Sequence, residues 1–122
     1  MQYIAIFYYL CTMVERKIIA YKNYYCEFMS SLTYQERKKI HYGLDLLSTQ
    51  QHVSTKFVKH IKDGVYELRT EYEGNNYRIF FIFDEGNLVV LFNGFQKKTK
   101  KTPASEISKA IQIKNEYYAT KG

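Results

Sequence analysis

The strongest constraint on the fold is a succession of short apolar runs broken by tight turns between Val65 and Phe95. The first run, Val65 to Tyr72, alternates in character. The second, Tyr77 to Phe83, is apolar at every position after Arg78, and the third runs from Leu88 to Phe95. Gly74-Asn75-Asn76 and Asp84-Glu85-Gly86-Asn87 separate them, and glycine and asparagine readily supply the positive φ that hairpin turns require. Runs of this length and composition are strands. Connections this short join antiparallel neighbours, so the segment predicts a three-stranded meander with a central second strand covered on both faces.

The remaining segments predict helices around that sheet. Ile18-Ile19-Ala20-Tyr21 reads as a short strand. Tyr24, Tyr25, Phe28, Met29 and Leu32 recur at helical spacing, giving a first helix. Thr33-Tyr34-Gln35-Glu36 is a capping box, and it opens a second helix that buries Ile40, Leu44 and Leu47. Phe57, Val58 and Ile61 read as a short helical turn. A last helix is expected from Pro103 to about Tyr118, with Thr102 as N-cap, Pro103 in the first turn, and Ile107, Ala110, Ile111 and Tyr118 on its inner face. The expected class is α+β: a small antiparallel sheet, an N-terminal αα-hairpin on one face and a C-terminal helix. With 122 residues and 46% hydrophobic content, the chain is expected to form one domain. That domain is read as residues 14–122. The apolar stretch 1–13 is an N-terminal extension, too short to span a bilayer and lacking a cationic signal-peptide head, and Met13 is a candidate initiator.

Charge narrows the function. The chain has 18 Lys+Arg against 12 Asp+Glu, a net +6. From Lys97 onward there are seven lysines and two glutamates, so most of the excess lies at one end. Lys97, Lys98, Lys100 and Lys101 form a row linking the last strand to the last helix. Unpaired ammonium groups are too costly to bury, so the row is an exposed cationic edge suited to phosphate. A solvated face of no function is the plain alternative. The only cysteines, Cys11 and Cys26, lack metal-ligand spacing and imply neither a zinc site nor a disulfide framework, which favours the reducing cytoplasm. No glycine-rich phosphate loop or nucleophile elbow occurs, and the carboxylates are too scattered for a two-metal nuclease.

Period two on the first meander strand puts Val65, Glu67, Arg69 and Glu71 on one face and Tyr66, Leu68 and Tyr72 on the core side. Arg78 opens the neighbouring strand, and Lys97 and Lys98 leave the third. These cations can converge on one concave face and grip a phosphate, two guanidiniums in bidentate fashion and a lysine as a point charge. Alternatively Arg69 pairs with Glu67 or Glu71, and Arg78 with Asp84.

Three strings carry a family resemblance: Lys62-Asp63-Gly64-Val65-Tyr66-Glu67-Leu68-Arg69; Tyr77-Arg78-Ile79-Phe80-Phe81; and Phe92-Asn93-Gly94-Phe95-Gln96-Lys97-Lys98-Thr99 with Lys101-Thr102-Pro103. Over roughly Val14 to Tyr118 the chain resembles the HigB (phage Gp49-like) branch of the RelE/ParE toxins. The resemblance implies a cytoplasmic toxin of a type II toxin–antitoxin pair. It also implies a metal-independent, cofactor-free endoribonuclease that cuts mRNA on the ribosome and is neutralised by a helix-turn-helix, HigA-like antitoxin. Residue by residue, it implies catalytic roles for Arg78 at the scissile phosphate, Arg69 on the preceding strand and Lys98 after the last strand. Lys56, Lys59, Lys62, Lys97, Lys100 and Lys101 are expected to bind RNA and ribosome. The chain departs from the pattern at Glu67, where RelE has a basic residue, at Asn93, often histidine in relatives, and in lacking the late tyrosine of RelE. Attack by an RNA 2′-hydroxyl needs a base, and the candidates are a lysine crowded by cations, His60 and Tyr66. Two other readings stay open: a ParE-like gyrase inhibitor acting by protein contact, and a non-catalytic nucleic-acid-binding module.

Overall fold

The computed structural model describes residues 14–121, so the expected extension 1–13 lies outside the described residues. The element order is β1 (Lys17–Ala20), α1 (Tyr24–Ser30), α2 (Tyr34–Thr49), β2 (Val58–Lys62), β3 (Val65–Tyr72), β4 (Asn75–Asp84), β5 (Leu88–Lys97) and α3 (Ala104–Lys121). The strands form one five-stranded sheet in the order β1-β5-β4-β3-β2, so β4 is central as its continuous apolar run requires. Two-residue turns at Asp63-Gly64 and Glu73-Gly74 have positive φ at both positions, 52° and 79°, then 50° and 79°. That is the primed-turn geometry that matches the right-handed twist of paired strands. The second turn falls one residue earlier than expected, and Asn75 already belongs to β4.

Two elements differ from expectation. β1 pairs parallel with β5, Ile18 opposite Val89 and Ile19 opposite Val90, so the sheet is mixed rather than purely antiparallel. The long excursion through both helices and the meander provides the crossover that parallel pairing needs. The expected helical turn at 57–61 is instead strand β2, paired antiparallel with β3. Apolar residues three apart share one face of a helix but point to opposite faces of a strand. This sheet is covered on both faces: Val58 packs into one core and Ile61 into the other. The same spacing therefore serves a strand.

The sheet separates two cores. On one face α1 and α2 bring Met29, Ile40, Leu44 and Leu47 against Leu68, Ile79, Phe81 and Leu91. The capping box forms as expected, with the Thr33 hydroxyl accepting from the Glu36 amide at 3.2 Å and Glu36 accepting from the Thr33 amide at 2.7 Å. On the other face Ala110, Ile113 and Tyr117 of α3 cover Val65, Phe80, Ile82, Val90 and Phe92. The buried tyrosine is Tyr117, whereas Tyr118 is 43% exposed. Thr102 does not cap α3. The Pro103 carbonyl accepts the first amides, from Glu106 and Ile107, and the Thr102 hydroxyl is engaged elsewhere. At the far end of α3, the Asp84 carboxylate accepts from the Tyr117 hydroxyl and from Lys121, each at 2.7 Å. These donors, Lys121 foremost, hold Asp84 below the usual carboxylate range.

The ladder between β4 and β5 shifts at a bulge. Ile79 faces Gly94 and Phe81 faces Leu91, which leaves Phe92 and Asn93 together opposite Phe80. Gly94 lies against α1, and a Cβ there would stand 2.4 Å from Cδ2 of Phe28. Glycine is required at this position by contact. Gly94→Ala is therefore expected to destabilise the domain by about 1–3 kcal/mol through overpacking. Phe28→Ala should recover part of that loss in the double mutant. Denaturant unfolding of the four proteins in the cycle checks this, and additive losses would contradict the contact.

Candidate active site

Arg69 and Arg78 are direct cross-strand partners in the β3–β4 ladder. Like charges placed so repel, and a counter-charge is needed beside them. Glu67 supplies it from two residues before Arg69. Its Oε1 lies 3.2 Å from Nε of Arg78 and 3.5 Å from Nε of Arg69. Its Oε2 accepts the Thr102 hydroxyl at 2.9 Å. The carboxylate is only 1% exposed and Arg78 only 6%, so this charge cluster is built into the floor of the site.

The face that period two marked as polar is thus largely covered. Val65 and Glu67 are buried under α3 and the lysine link, and only Arg69 and Glu71 reach solvent. The two pairing alternatives resolve together. Glu67 takes both arginines, and Asp84, the alternative partner for Arg78, is held by Tyr117 and Lys121 instead. The Arg78 guanidinium also donates to its neighbour's carbonyl, Nη1 to Tyr77 O at 3.0 Å, while Nε is buried without an aligned hydrogen bond. Burial pulls Arg78 below its ordinary value and Arg69 adds to the fall, while Glu67 opposes it. A guanidinium stays charged throughout.

Three cavities meet at this cluster. One of about 710 Å³ is lined by Arg69, Arg78, Lys56 and Phe57. A second, about 670 Å³, is lined by Arg78, Lys97, Lys98 and Lys100. A third, about 320 Å³, is lined by Glu67, Arg69, Lys59, His60, Lys97, Lys100 and Lys101. Most of the candidates picked from the sequence therefore converge here. Lys62, at the turn end of β2, lines none of the three. Tyr66 lies on the opposite side of the sheet, its ring stacked on Phe81 and edge-on to Phe83. His60 packs edge-on against Tyr66 at 5.0 Å while also reaching the third cavity.

Lys97 differs from the rest of the row. It is half-buried, whereas Lys98, Lys100 and Lys101 are exposed. Burial lowers its pKa first, Arg78, Arg69 and Lys59 lower it further, and Glu67 opposes them. Sequence reasoning missed both the organising role of Glu67 and the special position of Lys97. The signal for Glu67 was present as the departure from a basic residue. Lys97 is distinguished only by tertiary burial.

A mixed sheet with helices on both faces and a clamped arginine pair beside a basic link defines a small α+β protein with a RelE-like fold. The model of the family described as phage-derived protein Gp49-like (DUF891) matches residues 27–115, and the chain belongs to that family, a toxin-like family of the RelE/ParE type. A comparison with curated proteins finds no match. Among the described residues no helix is long and apolar enough to cross a membrane.

Lysine side-chain NMR should find Lys97 titrating below the ordinary lysine value. Glu67→Gln removes the anion that opposes this fall, so the Lys97 titration should move lower still. An unchanged or raised titration in the variant would contradict the electrostatic reading of the cluster.

Proposed function

We propose that this chain is the toxin of a type II toxin–antitoxin pair and a ribosome-dependent mRNA endoribonuclease. The observation that carries this reading is the arginine pair clamped on one carboxylate where three cation-lined cavities meet. Family membership supplies the toxin class. The RNA 2′-oxygen attacks its own 3′ phosphorus, forming the O2′–P bond as the P–O5′ bond breaks. The products are a 2′,3′-cyclic phosphate and a 5′-hydroxyl. Arg78 and Arg69 neutralise the charge that grows on the phosphorane. Lys97, its pKa lowered among cations, takes the 2′ proton. Lys98, exposed along the same cavity as Arg78, gives a proton to the leaving 5′-oxygen. His60 stays a secondary candidate for the base.

This arrangement stabilises charge well and orients substrate poorly. The cavities are open and Arg78 is tied down, so the reacting 2′-oxygen must be brought into line by something else. The ribosomal A site provides that alignment in this reading. Lys59, Lys100 and Lys101 line the approach and hold the RNA backbone, with Lys56 on the other side of the cluster. A HigA-like helix-turn-helix antitoxin neutralises the toxin by laying an acidic or helical segment over the Arg69/Arg78/Lys98 region.

Produced without an antitoxin, the chain should arrest growth by stopping protein synthesis first. Pulse labelling checks the order, and DNA synthesis failing while methionine incorporation continues would favour gyrase inhibition. Arg78→Ala should lose about 10²–10³-fold in cleavage rate. It should stay folded, because Arg69 still neutralises Glu67. Early melting with full toxicity at permissive temperature would make Arg78 structural.

The lysines divide by role. Lys100→Ala/Lys101→Ala should weaken ribosome binding and flatten its salt dependence by roughly 0.7–0.9 log–log units per lost phosphate contact. Cleavage in saturated complexes should stay near normal. Lys97→Ala and Lys98→Ala should do the reverse. Single-turnover cleavage on programmed ribosomes decides it, and loss of the chemical step in the double mutant alone would overturn the assignment.

A further inference from the structure

The 710 Å³ cavity has a second wall that the cleavage chemistry does not use. Tyr42, on α2, has 53% of its surface exposed and lines this wall. It meets Phe57 edge-on, with centroids 6.3 Å apart. Lys39 lies over the Tyr42 ring at 5.9 Å, and Lys56 over the Phe57 ring at 5.6 Å. Arg69 and Arg78 close the cavity on the sheet side. An aromatic wall flanked by ammonium groups and facing two guanidiniums matches one unpaired nucleotide: a base to stack and phosphates on either side.

We propose that Tyr42, seconded by Phe57, forms a base-stacking subsite for the RNA nucleotide next to the cleaved bond. The inference rests on the endoribonuclease reading above. Lys39 and Lys56 hold that nucleotide's flanking phosphates, and Arg69 connects the subsite to the reacting phosphate. Glu71 and Glu73 also line the cavity. Their charge repels phosphate from that end and fixes the direction in which the strand enters. Stacking tolerates every base because each has a π-face, so the subsite sets position more than sequence.

The test is binding of a 12-nucleotide single-stranded RNA, 2′-O-methylated to prevent cleavage, to the full chain at low salt. An abasic nucleotide is walked along the oligomer. Tyr42→Ala should weaken binding roughly 5- to 140-fold, the range expected for losing one stacked base. Tyr42→Phe should bind like the parent. The parent should lose affinity with the abasic nucleotide at one position, and Tyr42→Ala should be indifferent there. Parental affinity in Tyr42→Ala, or no RNA binding by the parent, overturns the subsite. So does a Tyr42→Ala chain that keeps RNA and loses the antitoxin, since the wall would then belong to the protein partner. Cleavage by the parent on programmed ribosomes reports separately on the underlying reading, so the subsite can fail while the endoribonuclease stands.

Discussion

One buried carboxylate organises the site. Two guanidiniums on directly opposed residues of neighbouring strands would repel each other and splay outward. Glu67 lets them stay together by presenting a single oxygen to both, 3.2 Å from Arg78 and 3.5 Å from Arg69. Removing one partner of a buried ion pair typically costs about 3–5 kcal/mol, because the remaining charge is stranded. A shared carboxylate softens that penalty, since either arginine alone still neutralises it. The arrangement leaves a net positive floor, held in place, whose charge suits a phosphate.

The same carboxylate couples the sheet to the link before α3. Thr102 donates its hydroxyl to Glu67 rather than capping the helix, and Asn93 reaches Glu106 in the first turn of α3 at 3.3 Å. At its other end α3 is fixed by Asp84, with Glu116 bonded to Tyr21 at 3.2 Å and paired with Lys22. The lysine row thus hangs between two anchored elements, near the arginines and still open to solvent. Lys97, drawn partly inward, is pushed towards its neutral form, while Lys100 and Lys101 remain exposed. One short segment therefore carries both a half-buried, perturbed lysine and a run of exposed ones.

Much of this was legible in the sequence because the signals were local. The meander, the central position of β4, the capping box and the exposed Lys98, Lys100 and Lys101 follow from alternation, turn residues and the cost of burying charge, whereas Lys97, expected to be exposed with them, is half-buried. The failures share a physical cause. β2 looked helical because an i, i+3 apolar spacing fits one face of a helix or both faces of a covered strand, and only the second core distinguishes them. The strand face carrying Glu67 looked open because α3 covers it from far along the chain. Thr102 looked like a cap because its tertiary partner lies 35 residues away. Arg69, Arg78 and the lysines were recognisable by type and placement. Which anion holds the arginines, and which lysine is perturbed, depended on burial that the sequence does not display.

The most direct test is the chemistry of the RNA ends produced on ribosomes programmed with a defined mRNA. Mass spectrometry should find a 2′,3′-cyclic phosphate on the upstream fragment and a 5′-hydroxyl on the downstream one. A single 2′-deoxy substitution at the cleaved nucleotide should abolish the cut. An intact message, or fragments ending in 3′-hydroxyl and 5′-phosphate, would contradict the account.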